Sequence, residues 1–218
     1  RPSLKCIITS ATLDLCKTLH YMPNCGKVSL EARSYPVRVE YRARSIQEPI
    51  WEQVARELKR IILVNDGNLL IFMDGVFEIK KTIQKIQGMP LARHFEVFPL
   101  FGEMSLKDQD QAIEFAGRRK IIVSTNIAET SLTVEGVSLI IDTGMAKKAS
   151  FDPIRGVNVL LSQPICKSSA DQRAGRAGRT SDGYCLRLWT SAQQQRKEEF
   201  EPPEISRLDL SELYLNIL

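Results

Sequence analysis

Seven short apolar runs alternate with stretches of helical periodicity along this chain, and that alternation restricts it to few folds. A run too short for a helix, followed by a helical pattern and then another run, argues for βαβ units and a mainly parallel sheet. The runs predict strands over 5–9, 37–41, 69–73, 97–100, 121–124, 138–142 and 184–188, with helices over 50–64, 76–86, 106–115 and 169–178. The fold class is α/β, a mainly parallel β-sheet flanked by helices. In such a sheet ligands gather beyond the carboxyl ends of the strands, here the residues that follow Ser124 and Asp142. Between Gly144 and Pro164 the alternation breaks. Two runs, 146–151 and 157–161, flank Asp152-Pro153-Ile154-Arg155-Gly156, which predicts an inserted β-hairpin with a long tip. By pattern alone it is either a projecting element or an edge hairpin that covers the sheet.

The 218 residues, 43% of them hydrophobic, suffice for one full domain plus extra pieces. Thirty Lys and Arg against 26 Asp and Glu give a net charge of +4, which permits nucleic-acid binding without demanding it. Cys6, Cys16, Cys25, Cys166 and Cys185 are odd in number and lack CxxC spacing, so neither a disulfide framework nor a metal site is indicated and a reducing, cytoplasmic setting is expected. No apolar run approaches the roughly 18 residues of a membrane span.

Residues 172–179 read Gln-Arg-Ala-Gly-Arg-Ala-Gly-Arg. On a continuous α-helix Gln172, Arg176 and Arg179 fall at i, i+4 and i+7, so two guanidiniums and an amide point at one spot. Arginine presents a planar fork of donors that fits phosphate oxygens, and such a set is suited to clamp a transferring phosphoryl group. Ser168 with Asp171 reads as a capping box that starts the helix. Gly175 and Gly178 clear an adjacent face for another backbone or a nucleotide. An ordinary solvated basic helix is the plain alternative, and two interior glycines, costing about 1 kcal/mol each, weigh against it.

This run resembles motif VI of the DEAH/RHA group of superfamily 2 helicases, nucleic-acid motors built from two RecA-like lobes that close on a nucleoside triphosphate. The Gln at its head fits that group, whereas the related DEAD-box group resembles it with His there. Residues 124–133, Ser-Thr-Asn-Ile-Ala-Glu-Thr-Ser-Leu-Thr, resemble motif V throughout. A strand ending in small hydroxyl and amide side chains also offers donors without bulk, as close phosphate and sugar contact needs; a polar, hydroxyl-capped turn is the alternative. Ser10, Ala11 and Thr12 are similar to motif III, which couples the triphosphate site to the nucleic-acid path. Residues 32–37 resemble the linker that follows it, with Ala32 in place of the usual Gly. Residues 70–75 resemble motif IV, although Val76 and Phe77 depart from the family's polar pattern there. Ile113 stands where some members place a base-stacking Phe, with Phe115 a displaced candidate. Pro203-Glu204-Ile205, Arg207 and Leu210 resemble the entry to a winged-helix domain.

The resemblance implies a second RecA-like lobe with catalytic Gln172, Arg176 and Arg179, nucleotide contacts from these and from Ser131 and Glu135, and nucleic-acid contacts from Thr125, Asn126, Lys147, Lys148 and Arg155. Residues 1–36 would end the first lobe, 37–190 form the second, and 191–218 lead toward the winged helix. Neither a GxxxxGK[ST] phosphate loop nor an Asp-Glu-Ala-His box occurs in the sequence. In the family both belong to the first lobe, so the chain is expected to be a fragment, without ATPase activity alone, of an enzyme that uses ATP and Mg²⁺ and tracks along RNA. The ending at 183–189 and the short linkers look more like bacterial than spliceosomal members. A catalytically inactive helicase-like scaffold that binds RNA or a partner, and a motor whose track is DNA, stay open.

Overall fold

The computed structural model describes residues 4–5, 7–9, 20, 22, 24–26, 28, 35–64, 66–114, 117–130, 132 and 134–217. The chain forms two compact units, Arg1–Arg33 and Ser34–Leu218. In the first unit none of the described residues is in a strand, so the strand expected over 5–9 is not formed at Lys5 or at 7–9. A strand exists only by pairing its backbone groups, and the parallel sheet of the second unit takes all six of its members from residues after 36.

The second unit is a six-stranded parallel sheet. Its strands are β1 (Val37–Tyr41), β2 (Asn68–Phe72), β3 (Glu96–Leu100), β4 (Lys120–Ser124), β5 (Val137–Asp142) and β8 (Gly183–Arg187), in spatial order β1-β8-β5-β2-β4-β3. The central strands β2, β4, β5 and β8 are buried at every position, which is why they read as unbroken apolar runs rather than alternating ones. Successive side chains nevertheless serve opposite faces. Leu69, Ile71, Ile121, Val123, Leu139, Ile141 and Leu186 pack under α1 (Ile50–Ile61) and α2 (Val76–Gln87) through Val54, Leu58, Ile61, Ile79 and Ile86. Leu70, Phe72, Ile122, Ile140 and Cys185 face the other way, against Ala112 of α3 (Leu106–Ile113), Ala174 and Ala177.

The expected elements recur with shifted ends. α1 stops at Ile61 because Leu63 and Val64 are exposed, so the apolar pattern that extended it has no packing behind it. The hairpin is β6 (Met145–Asp152) paired antiparallel with β7 (Val157–Pro164), longer at both strands than its apolar runs. Its base is seated on the unit: Ser162 donates to the Asp74 carboxylate after β2, and Lys148 donates to the Pro164 carbonyl and pairs with Glu201. Gly144, at φ +76°, turns the chain from β5 into the hairpin, and any Cβ there would lie 2.6 Å from the Trp189 ring. Three short helices lie outside the expected set: α4 (Ile127–Thr130), α6 (Ser191–Arg196), which opens with a Thr190–Gln193 capping box, and α7 (Ser211–Ile217).

Candidate nucleotide and nucleic-acid interface

The arginine run does not form one α-helix. α5 (Lys167–Gly175) ends at Gly175, and Arg176–Gly178 continue as a 3₁₀ turn. Gly178 explains the tightening. Its carbonyl accepts the Tyr35 amide at 2.8 Å, and an added Cβ would sit 2.5 Å from the Tyr35 carbonyl oxygen, so the chain is pressed onto the strand-leading segment. A 3₁₀ turn has three residues per turn, and the 3.6-residue stripe expected for Gln172, Arg176 and Arg179 is broken. Gln172 is half-buried, Arg176 buried and Arg179 exposed. The helix also starts earlier than the capping box implied. Cys166, not Ser168, is its N-cap, the thiol accepting the Ser169 amide at 3.4 Å.

Arg176 grips the loop after β4. Its Nε donates to the Glu129 carbonyl at 3.0 Å, Nη2 donates to the same oxygen, and Nη1 donates to the Leu132 carbonyl. Burial first and the like charge of Arg179 second depress its pKa to about 10, against the pull of Glu129. Two guanidiniums near enough to repel form a site that an anion would relieve. Gly175, whose Cβ would meet nothing within 4 Å, leaves open space at the end of the same helix.

Glu129 is the hub that sequence reading passed over. Its carboxylate takes Arg173 Nε at 3.0 Å and the Ser169 hydroxyl, so α4 is fastened to α5 by this side chain and to the following 3₁₀ turn by its carbonyl. Arg173 is fully buried, with Nη1 donating to Asp142 Oδ1 at 2.9 Å and to the Met145 carbonyl at 3.2 Å, and its guanidinium 4.7 Å from the Phe72 ring. Burial works against its charge, and the carboxylates of Asp142 and Glu129 more than restore it. An acidic residue ending an otherwise apolar strand needs a buried cation, and Asp142 at the end of β5 was the signal that could have found Arg173. Arg187, at the end of β8, was missed in the same way; it donates to Asp171 at 2.7 Å, to the Ala170 carbonyl and to the Tyr41 hydroxyl.

Thr125 and Asn126 stand beyond the carboxyl end of β4, half-buried and exposed respectively, immediately before α4. The Thr125 amide donates to the Leu100 carbonyl at 3.1 Å. Glu135 is exposed, with its carbonyl held by Asn68 Nδ2. Lys147 is exposed and overlies Gly75, whereas Lys148 is engaged by Glu201. Arg155 is exposed at the hairpin tip, 3.7 Å from Asp152. Ser131, Phe115 and the trio Ser10, Ala11 and Thr12 lie outside the described residues. The structure thus brings the loop after β4 and the arginine helix together at one edge of the sheet, and sets Arg155 apart from them on the hairpin tip.

Residues 53–181 match the helicase conserved C-terminal domain. The chain is 35% identical over 222 residues to the ATP-dependent RNA helicase HrpA of Escherichia coli K12, covering all of this chain and 17% of that protein. It is 38% identical over 220 residues to the ATP-dependent RNA helicase HrpB of the same organism, again over the whole chain and 27% of the relative. The crystal structure of the E. coli DEAH/RHA helicase HrpB superposes with a TM-score of 0.86 at 36% identity, covering 95% of this chain and 27% of that one. The chain therefore spans between about a sixth and a quarter of the length of these relatives. Matched over residues 53–181 and superposing on the DEAH/RHA helicase HrpB through its six-stranded parallel sheet fold, the chain belongs to the helicase conserved C-terminal domain family, in its DEAH/RHA form.

Proposed function

We propose that this domain supplies the arginine half of the ATPase site, and part of the nucleic-acid track, of an ATP-dependent RNA helicase. One observation carries the reading: Arg176 is bonded to the loop that begins with Thr125 and Asn126, so a guanidinium suited to phosphate and side chains suited to a nucleic-acid backbone share one rigid edge. In this reading residues 1–36 close a first RecA-like lobe, 37–190 are the second, and 191–218 lead toward a winged helix. Ser10, Ala11 and Thr12 couple the two ligands, as the resemblance to motif III implies.

The residues fit a nucleoside triphosphate. Arg179 is exposed beside Arg176, and such a pair suits the charge that builds on a γ-phosphate during its transfer. Bound ATP supplies the bond whose hydrolysis drives the motor. Gln172, one turn before Arg176, orients the attacking water or the phosphate, and Ser131 and Glu135 face the ribose. Mg²⁺ is assigned mainly to the first lobe, as the resemblance implies. Thr125 and Asn126 hold the strand by its phosphates and sugars, with Lys147 and Arg155 adding positive charge along the hairpin and Lys148 bracing its base. Opening and closing of the two lobes then moves the strand past the hairpin. A reducing cytoplasm is the proposed setting.

The deciding experiment is an ATPase assay on the full-length parent protein with single-stranded RNA or DNA added. Stimulation by RNA above DNA is expected. Absence of hydrolysis under all conditions would favour an inactive scaffold, and equal stimulation by DNA would make the track unselective for the sugar.

A further inference from the structure

We propose that Glu129 and Arg173 are positioning residues, which set the Arg176 guanidinium by locking the arginine helix against the loop that carries Thr125 and Asn126. The proposal rests on the function proposed above and deepens it. The chain of contact is short. The Glu129 carboxylate is fastened from α5 by Arg173 Nε at 3.0 Å and by the Ser169 hydroxyl, and the carbonyl of that same residue receives Arg176. The side-chain tethers and the backbone acceptor belong to one residue, so releasing the carboxylate loosens the segment whose carbonyl fixes Arg176. Arg173 extends the lock to Asp142 and the Met145 carbonyl, at the point where β5 passes into the hairpin.

Two features separate this cluster from ordinary core packing. First, it joins all three stretches assigned to ligand contact, namely the loop after β4, the arginine helix and the hairpin base. Second, it is incompletely satisfied: among the described residues Arg173 Nη2 and Asp142 Oδ2 are buried without a hydrogen-bond partner. A cluster selected for stability alone would pair both or be replaced by apolar side chains of equal volume. A spare donor and a spare acceptor allow a second pairing, so the cluster can change arrangement when the loop or the helix is loaded.

The test uses steady-state ATPase kinetics of the full-length parent protein with saturating RNA, comparing Glu129→Gln, Arg176→Lys, their combination, and Arg179→Ala as a reference. Glu129→Gln keeps the shape and removes the charge that faces Arg173. The expected result is a kcat lower by about 10- to 100-fold with KM for ATP changed less than about twofold, since small displacements of a transition-state group cost rate rather than binding. In the Arg176→Lys background, where the paired bonds to the Glu129 carbonyl are already lost, the same change should add less than about twofold. A kcat within twofold of the unmodified enzyme overturns the proposal, and so does a full multiplicative effect in the Arg176→Lys background. If Glu129→Gln does not yield folded protein, Ser169→Ala, which removes the second tether to the same carboxylate, is judged by the same two criteria. A collapsed kcat in Arg179→Ala together with an unaffected Glu129→Gln refutes only the positioning role, whereas an unaffected Arg179→Ala refutes the arginine assignment and the positioning role with it.

Discussion

Arg176 Nε lies 3.0 Å from the Glu129 carbonyl oxygen, which makes this arginine a structural tie between two segments 47 residues apart as well as a cation at a candidate phosphate site. Arg179, three residues on, is exposed. The two arginines should consequently differ in what they do for the fold. Arg176→Ala removes the donor that holds the carbonyls of half-buried Glu129 and Leu132 and is expected to lower unfolding stability by about 1 kcal/mol. Arg179→Ala, at the surface, is expected to stay within about 0.5 kcal/mol. Denaturant unfolding of the 218-residue chain compares them, and equal losses would show that Arg176 is not the tie described.

The two glycines of the run should also part company. Gly178→Ala forces a Cβ to within 2.5 Å of the Tyr35 carbonyl oxygen and 2.8 Å of a Val37 methyl, and a loss of about 1–3 kcal/mol is expected. Gly175 has nothing within 4 Å of the same position, so Gly175→Ala should leave stability unchanged or raise it by about 0.5–1 kcal/mol. If the nucleotide approaches that open side, Gly175→Ala in the parent enzyme will raise KM for ATP while the melting temperature holds or rises.

Much of the fold was legible because strands buried on both faces leave continuous apolar runs, and the strings at 124–133 and 172–179 marked the segments that the structure brings together. The sheet and the hairpin followed from those patterns. What sequence periodicity could not give was the 3₁₀ turn at Arg176. It arises from Gly178 meeting Tyr35, a contact between residues 143 positions apart, and no local propensity encodes it. Arg173 was hidden for a related reason. On a helical wheel it is merely another surface cation, and only the buried Asp142 at the end of a distant strand turns it into a core residue. The same holds for Lys148, which reads as a phosphate contact until Glu201 is placed beside it.

A pH dependence follows from Glu40 on the edge strand β1. The Tyr184 hydroxyl, which donates to Glu40 at 2.7 Å, and then Arg60 hold its carboxyl down at about 2, from an ordinary 4.5. Because the folded value lies below the unfolded one, the stabilisation is fully present above pH 4.5 and disappears as the pH falls toward 2. The pair is partly solvated, so the contribution is about 1 kcal/mol. Glu40→Gln should therefore be less stable than the unmodified chain at pH 7, and the gap should close between pH 4.5 and 2; a gap that persists unchanged at pH 2 would contradict the assignment.

The hairpin offers a separate test of the track. Its base is bonded to Asp74 and Glu201, while Ile154 at the tip is 94% exposed. Replacing residues 153–156 by a two-residue turn in the parent enzyme leaves the anchored base in place. Duplex unwinding should fall severalfold while RNA-stimulated ATP hydrolysis is largely retained. Loss of both with a lowered melting temperature would show that the tip is required by the fold, and undiminished unwinding would show that the hairpin only covers the sheet edge.

The central claim, that this domain contributes arginine charge to the transition state of ATP hydrolysis, is tested most directly by single-turnover and steady-state kinetics of Arg179→Ala in the full-length parent protein. Arginines that act on a transferring phosphoryl group contribute on the order of 10³ to 10⁵ in rate, so kcat is predicted to fall into that range while the ATP dissociation constant rises less than about tenfold. A kcat that holds while KM alone increases would contradict the account and reduce Arg179 to a ground-state binder.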